Sequence, residues 1–295
     1  MKESILYRKL KDNKVQCLTC NHYCQIKPKQ RGICGVRENQ KGKLMALNYP
    51  YLISEEIDPI EKKPFYHFMP GTFSLSIATA GCNFKCPWCQ NWSISQLTKI
   101  RENKNQWLKI SFKKTPKQII SDAKKFRTPS ISYTYTEPTI FLEFALETMK
   151  LARKENIKNN WVSNGYFSEQ TFKLIKNCLD AINIDLKFME NDKYLKYSGA
   201  KLNPILENIK KVYQAKIHLE LTTLIIPGLN DSKNSLKKMA QFIKKELNPS
   251  VPWHLSRFFP AYKMEDKEIT PKKTLYKAYA IAKKAGLENV YLGNI

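Results

Sequence analysis

Beyond residue 72, apolar and polar positions form two patterns along the chain, one typical of strands and one typical of helices. Short apolar runs predict strands, and between them apolar residues recur every three or four positions, as on the buried face of a helix. Thr115 and Pro116 open one such helix as its N-cap and first residue. The predicted strands cover residues 73–79, 130–136, 158–163, 181–188, 216–226, 253–259 and 290–292.

Strands that alternate with helices predict a parallel sheet with the helices packed outside it. The repeat comprises about six βα units, whereas a complete eight-unit barrel needs about 250 residues. The predicted fold class is therefore α/β, a partial (β/α)6 TIM-like barrel. In such folds the chemistry gathers at the carboxyl ends of the strands.

The first 70 residues show a different pattern. Short polar segments and turn residues replace sustained periodicity, and four cysteines fall within this stretch. Such a segment cannot build an apolar core alone and needs a metal or a neighbouring domain. We therefore predict a Cys-rich N-terminal extension with a possible metal site over residues 1–70, and a core barrel over residues 71–295.

The composition is that of a globular protein and excludes collagen-like, disordered and coiled-coil classes. Of 295 residues, 42% are hydrophobic, and the 10 Gly and 15 Pro are scattered. No apolar run reaches the ~18 residues of a membrane span, and the first residues lack the apolar region of a signal peptide. These features predict no membrane association and a cytoplasmic location. In that compartment, eight cysteines favour metal or redox chemistry over disulfides.

The net charge is +24, with 50 basic against 26 acidic residues. A balance of this kind raises the possibility of a nucleic-acid partner. However, lysine pairs recur along the whole chain, mostly on the polar faces of predicted helices, and do not form one stripe. Solvated helix faces are the favoured interpretation, and nucleic-acid binding remains the alternative.

The strongest chemical motif follows the first predicted core strand. Cys82, Cys86 and Cys89 have the spacing C-x3-C-x2-C within one loop. Three thiolates can bind three irons of a cubane cluster and leave the fourth iron open for a non-protein ligand. The alternative is a structural zinc site whose fourth ligand comes from elsewhere in the chain. We refer to these three residues as the barrel cysteines.

A second cysteine group lies in the N-terminal extension. Cys17, Cys20, Cys24 and Cys34, the N-terminal cysteines, have the spacing C-x2-C-x3-C-x9-C. Four thiolates suit tetrahedral zinc or an iron–sulfur cluster. His22 lies between two of them and could replace one as a ligand. The spacing predicts a bound metal and leaves its identity open.

Three further candidates lie near predicted strand ends. Glu137 could accept a hydrogen bond from an ammonium group, or could be an acid placed at a helix N-terminus. Asn164 could contact a ribose or form a turn. Asp185 and Lys187 alternate along one strand, so both point to the same face. There they form either a functional acid and base or a structural ion pair.

Taken together, these motifs resemble a known family. The loop CNFKCPWC, with Trp88 before the third cysteine, resembles the signature of radical S-adenosylmethionine (SAM) enzymes. The match continues in Tyr135-Thr-Glu-Pro138, Ser163-Asn-Gly165, Asp185-Leu-Lys187 and Ile226-Pro-Gly-Leu-Asn-Asp231, which resemble segments after later strands of these enzymes, including the activases of pyruvate formate-lyase. A finer resemblance, to the radical SAM member of the AmmeMemoRadiSam system, is carried by Cys17-Leu-Thr-Cys20-Asn-His-Tyr-Cys24, Arg31-Gly-Ile-Cys34-Gly-Val-Arg37, Cys89-Gln-Asn-Trp92 and Ser256-Arg-Phe-Phe-Pro-Ala-Tyr262.

This resemblance implies cofactors and partners. The barrel cysteines would hold a [4Fe-4S] cluster whose open iron binds SAM, and Trp88 would lie against the adenine. Glu137, Asn164, Asp185 and Lys187 would be cofactor-binding residues. One electron from a donor of the flavodoxin or ferredoxin type would cleave SAM to a 5′-deoxyadenosyl radical, which abstracts hydrogen from a substrate. Memo-like and AMMECR1-like proteins are implied as partners by family association.

Three alternatives remain at this stage. A glycyl-radical activase would act on another protein, but such activases commonly carry a basic residue near SAM where this chain has Glu220-Leu-Thr-Thr223. An RNA-modifying radical SAM enzyme would show salt-sensitive binding to RNA. A non-catalytic module that binds zinc and nucleic acid would be colourless and rich in zinc.

Overall fold

The computed structural model describes residues 1–100 and 105–295. Its centre is a sheet of eight strands, in which seven consecutive strands run parallel. The strands of the described residues are β1 (Lys2–Glu3), β2 (Tyr7–Lys9), β3 (Val15–Cys17), β4 (Gln25–Ile26), β5 (Arg37–Gln40), β6 (Lys43–Ala46), β7 (Tyr51–Leu52), β8 (Ser54–Pro59), β9 (Phe73–Ala78), β10 (Phe112–Lys113), β11 (Ser130–Tyr133), β12 (Lys158–Ser163), β13 (Ala181–Asp185), β14 (His218–Ile225), β15 (Trp253–Arg257) and β16 (Val290–Gly293).

The order of the central sheet is β8-β9-β11-β12-β13-β14-β15-β16. The strands of this sheet therefore lie side by side in the order in which they occur along the chain. The helices are α1 (Trp92–Ser95), α2 (Pro116–Lys125), α3 (Leu142–Lys154), α4 (Glu169–Ile175), α5 (Asn191–Lys193), α6 (Leu202–Gln214), α7 (Lys233–Phe242) and α8 (Lys272–Lys284). This arrangement confirms the predicted fold class of a partial parallel α/β barrel.

Side-chain alternation along the strands separates an apolar outer face from a polar inner face. In β9, Leu75 and Ile77 belong to the same buried cluster as Ile119 of α2. The intervening Ser74 points the other way, where its Oγ lies 2.6 Å from Ser132 Oγ of β11. The barrel interior is therefore lined with polar groups that can contact a polar ligand.

The N-cap of α2 forms as the sequence predicts. Thr115 accepts a hydrogen bond from the Gln118 N–H, and the Gln118 side chain accepts one from the Thr115 N–H, so the two residues make a capping box around Pro116. Other predicted helices shift slightly at their ends. The helix predicted from residue 139 begins with a 3-10 turn over Pro138–Phe141, and α3 follows it.

One strand of the predicted extension belongs to the central sheet. All six residues of β8 pair antiparallel with β9, from Ser54 opposite Ala78 to Pro59 opposite Phe73. The predicted division at residue 70 therefore falls after a strand that the core sheet includes. The sequence did not indicate β8, because the segment SEEIDP carries three acidic residues and resembles a loop.

The rest of the N-terminal segment forms two small three-stranded sheets, β1-β6-β5 and β2-β3-β4. A buried ion pair fixes this segment to the barrel, since Arg37 Nη1 of β5 lies 2.6 Å from Glu143 Oε1 of α3. Glu143 Oε1 also accepts a hydrogen bond from the Ile5 N–H. Within residues 1–100 and 105–295, no helix is long and apolar enough to cross a membrane.

Candidate functional site

The barrel cysteines lie in the loop that follows β9, at the carboxyl edge of the parallel sheet. This is the edge at which parallel α/β folds carry their chemistry. Gly81 directly precedes Cys82 in this loop, and its φ of +104° is accessible to glycine and strained for other residues. All three thiols are free of disulfides.

Each of the barrel cysteines has a hydrogen-bonding group beside its sulfur. The Phe84 N–H donates to Cys82 Sγ at 3.3 Å. Cys86 Sγ lies 3.6 Å from Ser198 Oγ, and Cys89 Sγ lies 3.2 Å from Ser95 Oγ. Such N–H and O–H groups can donate to thiolates, and hydrogen bonds of this kind tune iron–sulfur centres.

The donor set of this loop, three thiolates, suits a cubane cluster. A cubane takes each thiolate on a different iron, so its ligands surround a larger group. Three soft thiolates in one loop therefore match the [4Fe-4S] cluster that the C-x3-C-x2-C spacing predicts.

Burial and nearby positive charges have opposite effects on the ionisation of these thiols. Burial raises the pKa of Cys82 and Cys86 above the ordinary value. The positive charges of Lys99 and Lys187 lower the pKa of Cys82 and Cys86 respectively. Since iron binds the thiolate form, ligation of iron would provide the larger stabilisation of the ionised sulfurs.

Glu137 is buried where two strand ends meet. Its Oε1 accepts hydrogen bonds from Thr139 Oγ1 at 2.5 Å and Ser163 Oγ at 2.9 Å, and its Oε2 accepts one from the Asn164 N–H at 2.8 Å. Burial raises the pKa of Glu137, although these donors oppose the shift. In this structure the carboxylate joins the ends of β11 and β12, and its contact with SAM stays a prediction.

Asn164 links the end of β12 to the cysteine loop. Its Nδ2 donates to Asn83 Oδ1 at 2.7 Å and lies 4.0 Å from Cys82 Sγ. Its Oδ1 accepts a hydrogen bond from the Tyr166 N–H at 3.0 Å, as in a turn. Asn164 therefore forms the turn that the sequence allowed, and its side-chain amide lies beside the barrel cysteines. Its contact with a ribose stays a prediction.

Asp185 and Lys187 form an ion pair on the inner face after β13, with 2.8 Å between Lys187 Nζ and Asp185 Oδ2. Burial opposes the charge of Lys187, but Asp185 and the Cys86 thiolate raise the pKa of the ammonium. The Lys187 N–H also donates to Tyr194 Oη at 2.9 Å. The pair therefore places a fixed positive charge near Cys86, with a carboxylate that is 34% exposed beside it.

Trp88 is only 4% exposed and lies within an aromatic cluster. Its ring centroid is 5.7 Å from that of Phe188 in a T-shaped contact and 6.0 Å from that of Tyr197. An apolar wall of this kind suits a purine ring. Phe188 and Tyr197 carry no motif of their own, and only the fold brings them to Trp88.

The N-terminal cysteines come together around one small cavity. Cys17 and Cys34 are buried, whereas Cys20 and Cys24 are partly exposed. All four line the cavity, together with Arg37, Asn83 and other residues. Burial raises the pKa of Cys24 to about 11, and Cys34 and Cys17 contribute to that increase. Cys17, at the end of β3, and three cysteines outside the strands of the small sheets thus converge on one site.

His22 lines the same cavity as the N-terminal cysteines, and its role as a metal ligand stays a prediction. Its Nε2 lies 2.9 Å from the backbone oxygen of Asn83, next to Cys82. Burial lowers the pKa of His22, which favours the neutral ring. The histidine therefore connects the N-terminal segment to the loop of the barrel cysteines. Sequence spacing could not reveal this contact across 61 positions.

A second polar cluster lies near the amino ends of the strands. The carboxylate of Glu220 is fully buried and accepts hydrogen bonds from the N–H groups of Tyr66 and His67. His218 Nε2 and His254 Nε2 lie 2.9 and 2.6 Å from its two oxygens. Burial opposes ionisation, but these contacts lower the pKa of Glu220 to about 2. Glu220 therefore belongs to the base of the barrel.

A parallel barrel that carries a three-cysteine loop at its carboxyl edge is typical of enzymes that use an iron–sulfur cluster to activate SAM. Residues 76–243 match the profile of the radical SAM superfamily. The chain belongs to that superfamily, and a [4Fe-4S] cluster and SAM are its cofactors.

Individual proteins are similar to this chain in sequence or in fold. The uncharacterized protein MJ0808 of Methanocaldococcus jannaschii is 42% identical over all of this chain and 86% of its own length. The pyruvate formate-lyase-activating enzyme of Staphylococcus aureus is 24% identical over 68% of this chain and 85% of its own length. The fold also resembles a radical SAM methyltransferase from Sphaerobacter thermophilus, with a TM-score of 0.57, 12% identity, and coverage of 76% of this chain and 67% of that one.

Proposed function

We propose that this chain is an enzyme that cleaves SAM reductively and uses the resulting 5′-deoxyadenosyl radical to abstract hydrogen from a substrate. The observation that carries the proposal is the loop of the barrel cysteines, which presents three free thiols at the carboxyl edge of the barrel. A [4Fe-4S] cluster held there supplies the electron that cleaves SAM.

The chain's own residues would prepare the site for that chemistry. The barrel cysteines bind the cluster, and Phe84 N–H and Ser95 Oγ lie beside two of the sulfurs. Lys187 carries a positive charge next to Cys86, where it offsets the negative charge of the thiolates. Asp185 accepts from Lys187 through its Oδ2, and its Oδ1 would accept a hydrogen bond from a donor on SAM.

The adenosyl group would lie against Trp88, which Phe188 and Tyr197 hold in place. Asn164, 4.0 Å from Cys82 Sγ, would orient the sugar side of the cofactor. Glu137 would keep the ends of β11 and β12 at a fixed separation through its hydrogen bonds to Ser163 and Asn164. A dry and rigid cavity protects a radical from side reactions.

The proposal also covers the group of radical SAM enzymes to which this chain belongs and the proteins with which it acts. The quoted motifs support membership in the AmmeMemoRadiSam system, with Memo-like and AMMECR1-like proteins as partners. A flavodoxin or ferredoxin type protein would donate the electron, and the site of action would be the cytoplasm. The relative from Staphylococcus aureus favours activation of a glycyl-radical enzyme as the second candidate function.

The test is an anaerobic assay of 5′-deoxyadenosine formation from SAM and dithionite by the reconstituted protein. We expect the nucleoside from the wild type and a loss of at least about 100-fold with Cys86→Ala, because an iron loses its ligand. Cys178→Ala is the matched control, since Cys178 is a free, partly exposed cysteine in the turn that follows α4. Intact SAM with a fully loaded wild-type protein would refute the proposal.

A further inference from the structure

The N-terminal cysteines form a site that the proposed reaction does not use. They surround one cavity, and its wall also includes Thr19, Ile26, Gly32 and Ile140. The backbone holds two of the cysteines together, because the Cys17 N–H donates to the Cys24 oxygen at 3.0 Å. Gly32 is packed against Cys24, and a Cβ there would lie 3.6 Å from the Cys24 sulfur. The fold therefore gathers four sulfur ligands at one place.

Two buried N–H groups at this cavity have no hydrogen-bond partner in the part of the chain that the structure describes. Arg37 Nε and Asn83 Nδ2 are among the buried polar atoms that find no hydrogen-bond partner within the described residues. Arg37 is 2% exposed and Asn83 is 1% exposed, and both line the cavity of the N-terminal cysteines. Leaving such a donor unpaired costs about 1–3 kcal/mol. An acceptor in the cavity would remove that cost.

The charge of the wall indicates an anionic occupant. Arg37 donates to Glu143 through its Nη1 and to the Ile140 oxygen through its Nη2. Its Nε–H remains available to an acceptor in the cavity. Four thiolates around iron or zinc carry a net negative charge, and N–H donors to sulfur stabilise such centres. The two unpaired donors are thus of the kind that a thiolate-bound metal centre requires.

The neighbourhood of the N-terminal cysteines favours a cluster over a single ion. Thiolates bind both zinc and iron–sulfur clusters, so the four ligands alone allow either. All four cysteines line one cavity, and the loop of the barrel cysteines contributes Asn83 to its wall. The superfamily of this chain assembles a cluster in that loop, and we take a site that shares its wall to hold a second one.

We propose that Cys17, Cys20, Cys24 and Cys34 bind an iron–sulfur cluster, the second of this chain, with Arg37 and Asn83 donating hydrogen bonds to its sulfurs. The two centres share a wall. Thr98 Oγ1 donates to the Cys34 oxygen at 2.8 Å, and that oxygen would lie 3.0 Å from a Cβ on Gly81. Asn83 follows Cys82 directly and also lines the cavity of the N-terminal cysteines.

The experiment counts iron, acid-labile sulfide and zinc per full chain after anaerobic reconstitution. The informative protein is a triple variant, Cys82→Ala, Cys86→Ala and Cys89→Ala, because it removes the other centre and leaves the proposed site untouched. We expect iron and sulfide in equal numbers, about four of each, in the triple variant, and about twice that in the wild type. Adding Cys20→Ala and Cys24→Ala to the triple variant should remove both.

Cys178→Ala in the wild-type background controls for the loss of any one thiol and should retain the full count. About one zinc without sulfide in the triple variant would overturn the proposal, and so would the absence of all three elements. The count is independent of SAM cleavage. A chain that carries the second cluster but leaves SAM intact would therefore contradict only the proposed function.

Discussion

At the scale of single residues, Glu220 is an acid that the fold holds in its ionised form. Both oxygens of its buried carboxylate accept hydrogen bonds, from the Tyr66 and His67 N–H groups and from two histidines. The folded state holds the pKa of this group at about 2, whereas the unfolded chain has a value near 4.3. The folded state therefore favours the ionised form, and this preference stabilises the protein.

We predict that Glu220→Gln lowers the free energy of unfolding by about 3 kcal/mol at neutral pH, since one pKa unit corresponds to about 1.4 kcal/mol. The contribution is complete above a pH of about 4.3 and declines as the pH falls toward about 2. Urea denaturation of both proteins at matched metal content, from about pH 6 to about pH 3, measures the difference.

The control is Glu207→Gln, because the Glu207 side chain is 55% exposed and, within residues 1–100 and 105–295, its one ion pair is with Lys210 at 2.7 Å. An exposed pair of this kind contributes at most about 1 kcal/mol. A Glu220→Gln difference that is no larger than the control, or that does not shrink at low pH, would contradict the assigned role of Glu220.

Residue spacing predicted the contacts that are local and missed those that the fold creates. The barrel cysteines lie within one loop, and Asp185 and Lys187 lie two positions apart, so sequence alone places each set together. Arg37 and Glu143 are 106 positions apart. No pattern in the sequence pairs such distant residues, because tertiary packing alone determines which segments meet.

At the scale of elements, the core strands and the cap of α2 were predictable because each depends on local periodicity or on a local hydrogen bond. Strand β8 was not, because a polar edge strand acquires its conformation from pairing with β9. The two small N-terminal sheets have strands of two to four residues, which are too short to show a period.

The turn at Gly81 joins the two cysteine groups. Its φ is +104°, and a Cβ would lie 3.0 Å from the Cys34 oxygen and 3.2 Å from Thr98 Oγ1. We predict that Gly81→Ala destabilises the protein by about 1–3 kcal/mol and lowers its iron content, because the neighbouring backbone must move. Thermal unfolding and iron analysis of the reconstituted protein measure both effects.

Gly71→Ala is the matched control, since Gly71 also has a positive φ, of +77°, but a Cβ there meets nothing within 4 Å. This control should show backbone strain with the iron content unchanged. If the two variants lost iron equally, crowding at Gly81 would not hold the cysteine groups together.

At the scale of the whole molecule, the positive charge is spread over the surface. Helix-surface lysines such as Lys124 and Lys210 pair with nearby glutamates, at 2.6 Å to Glu155 and 2.7 Å to Glu207. Solvated helix faces and nucleic-acid binding both stay predictions for the remaining lysines. The function is concentrated instead at one edge of the sheet, where the loop after β9 meets the N-terminal segment.

The central claim is that SAM binds a cluster held by the barrel cysteines. Electron paramagnetic resonance of the dithionite-reduced protein, recorded with and without SAM, tests it most directly. We predict a spectrum that changes when SAM is added to the wild type and to Cys178→Ala, because SAM binds the open iron. The triple variant should give no SAM-dependent change. A reduced wild-type spectrum that is identical with and without SAM would contradict the account.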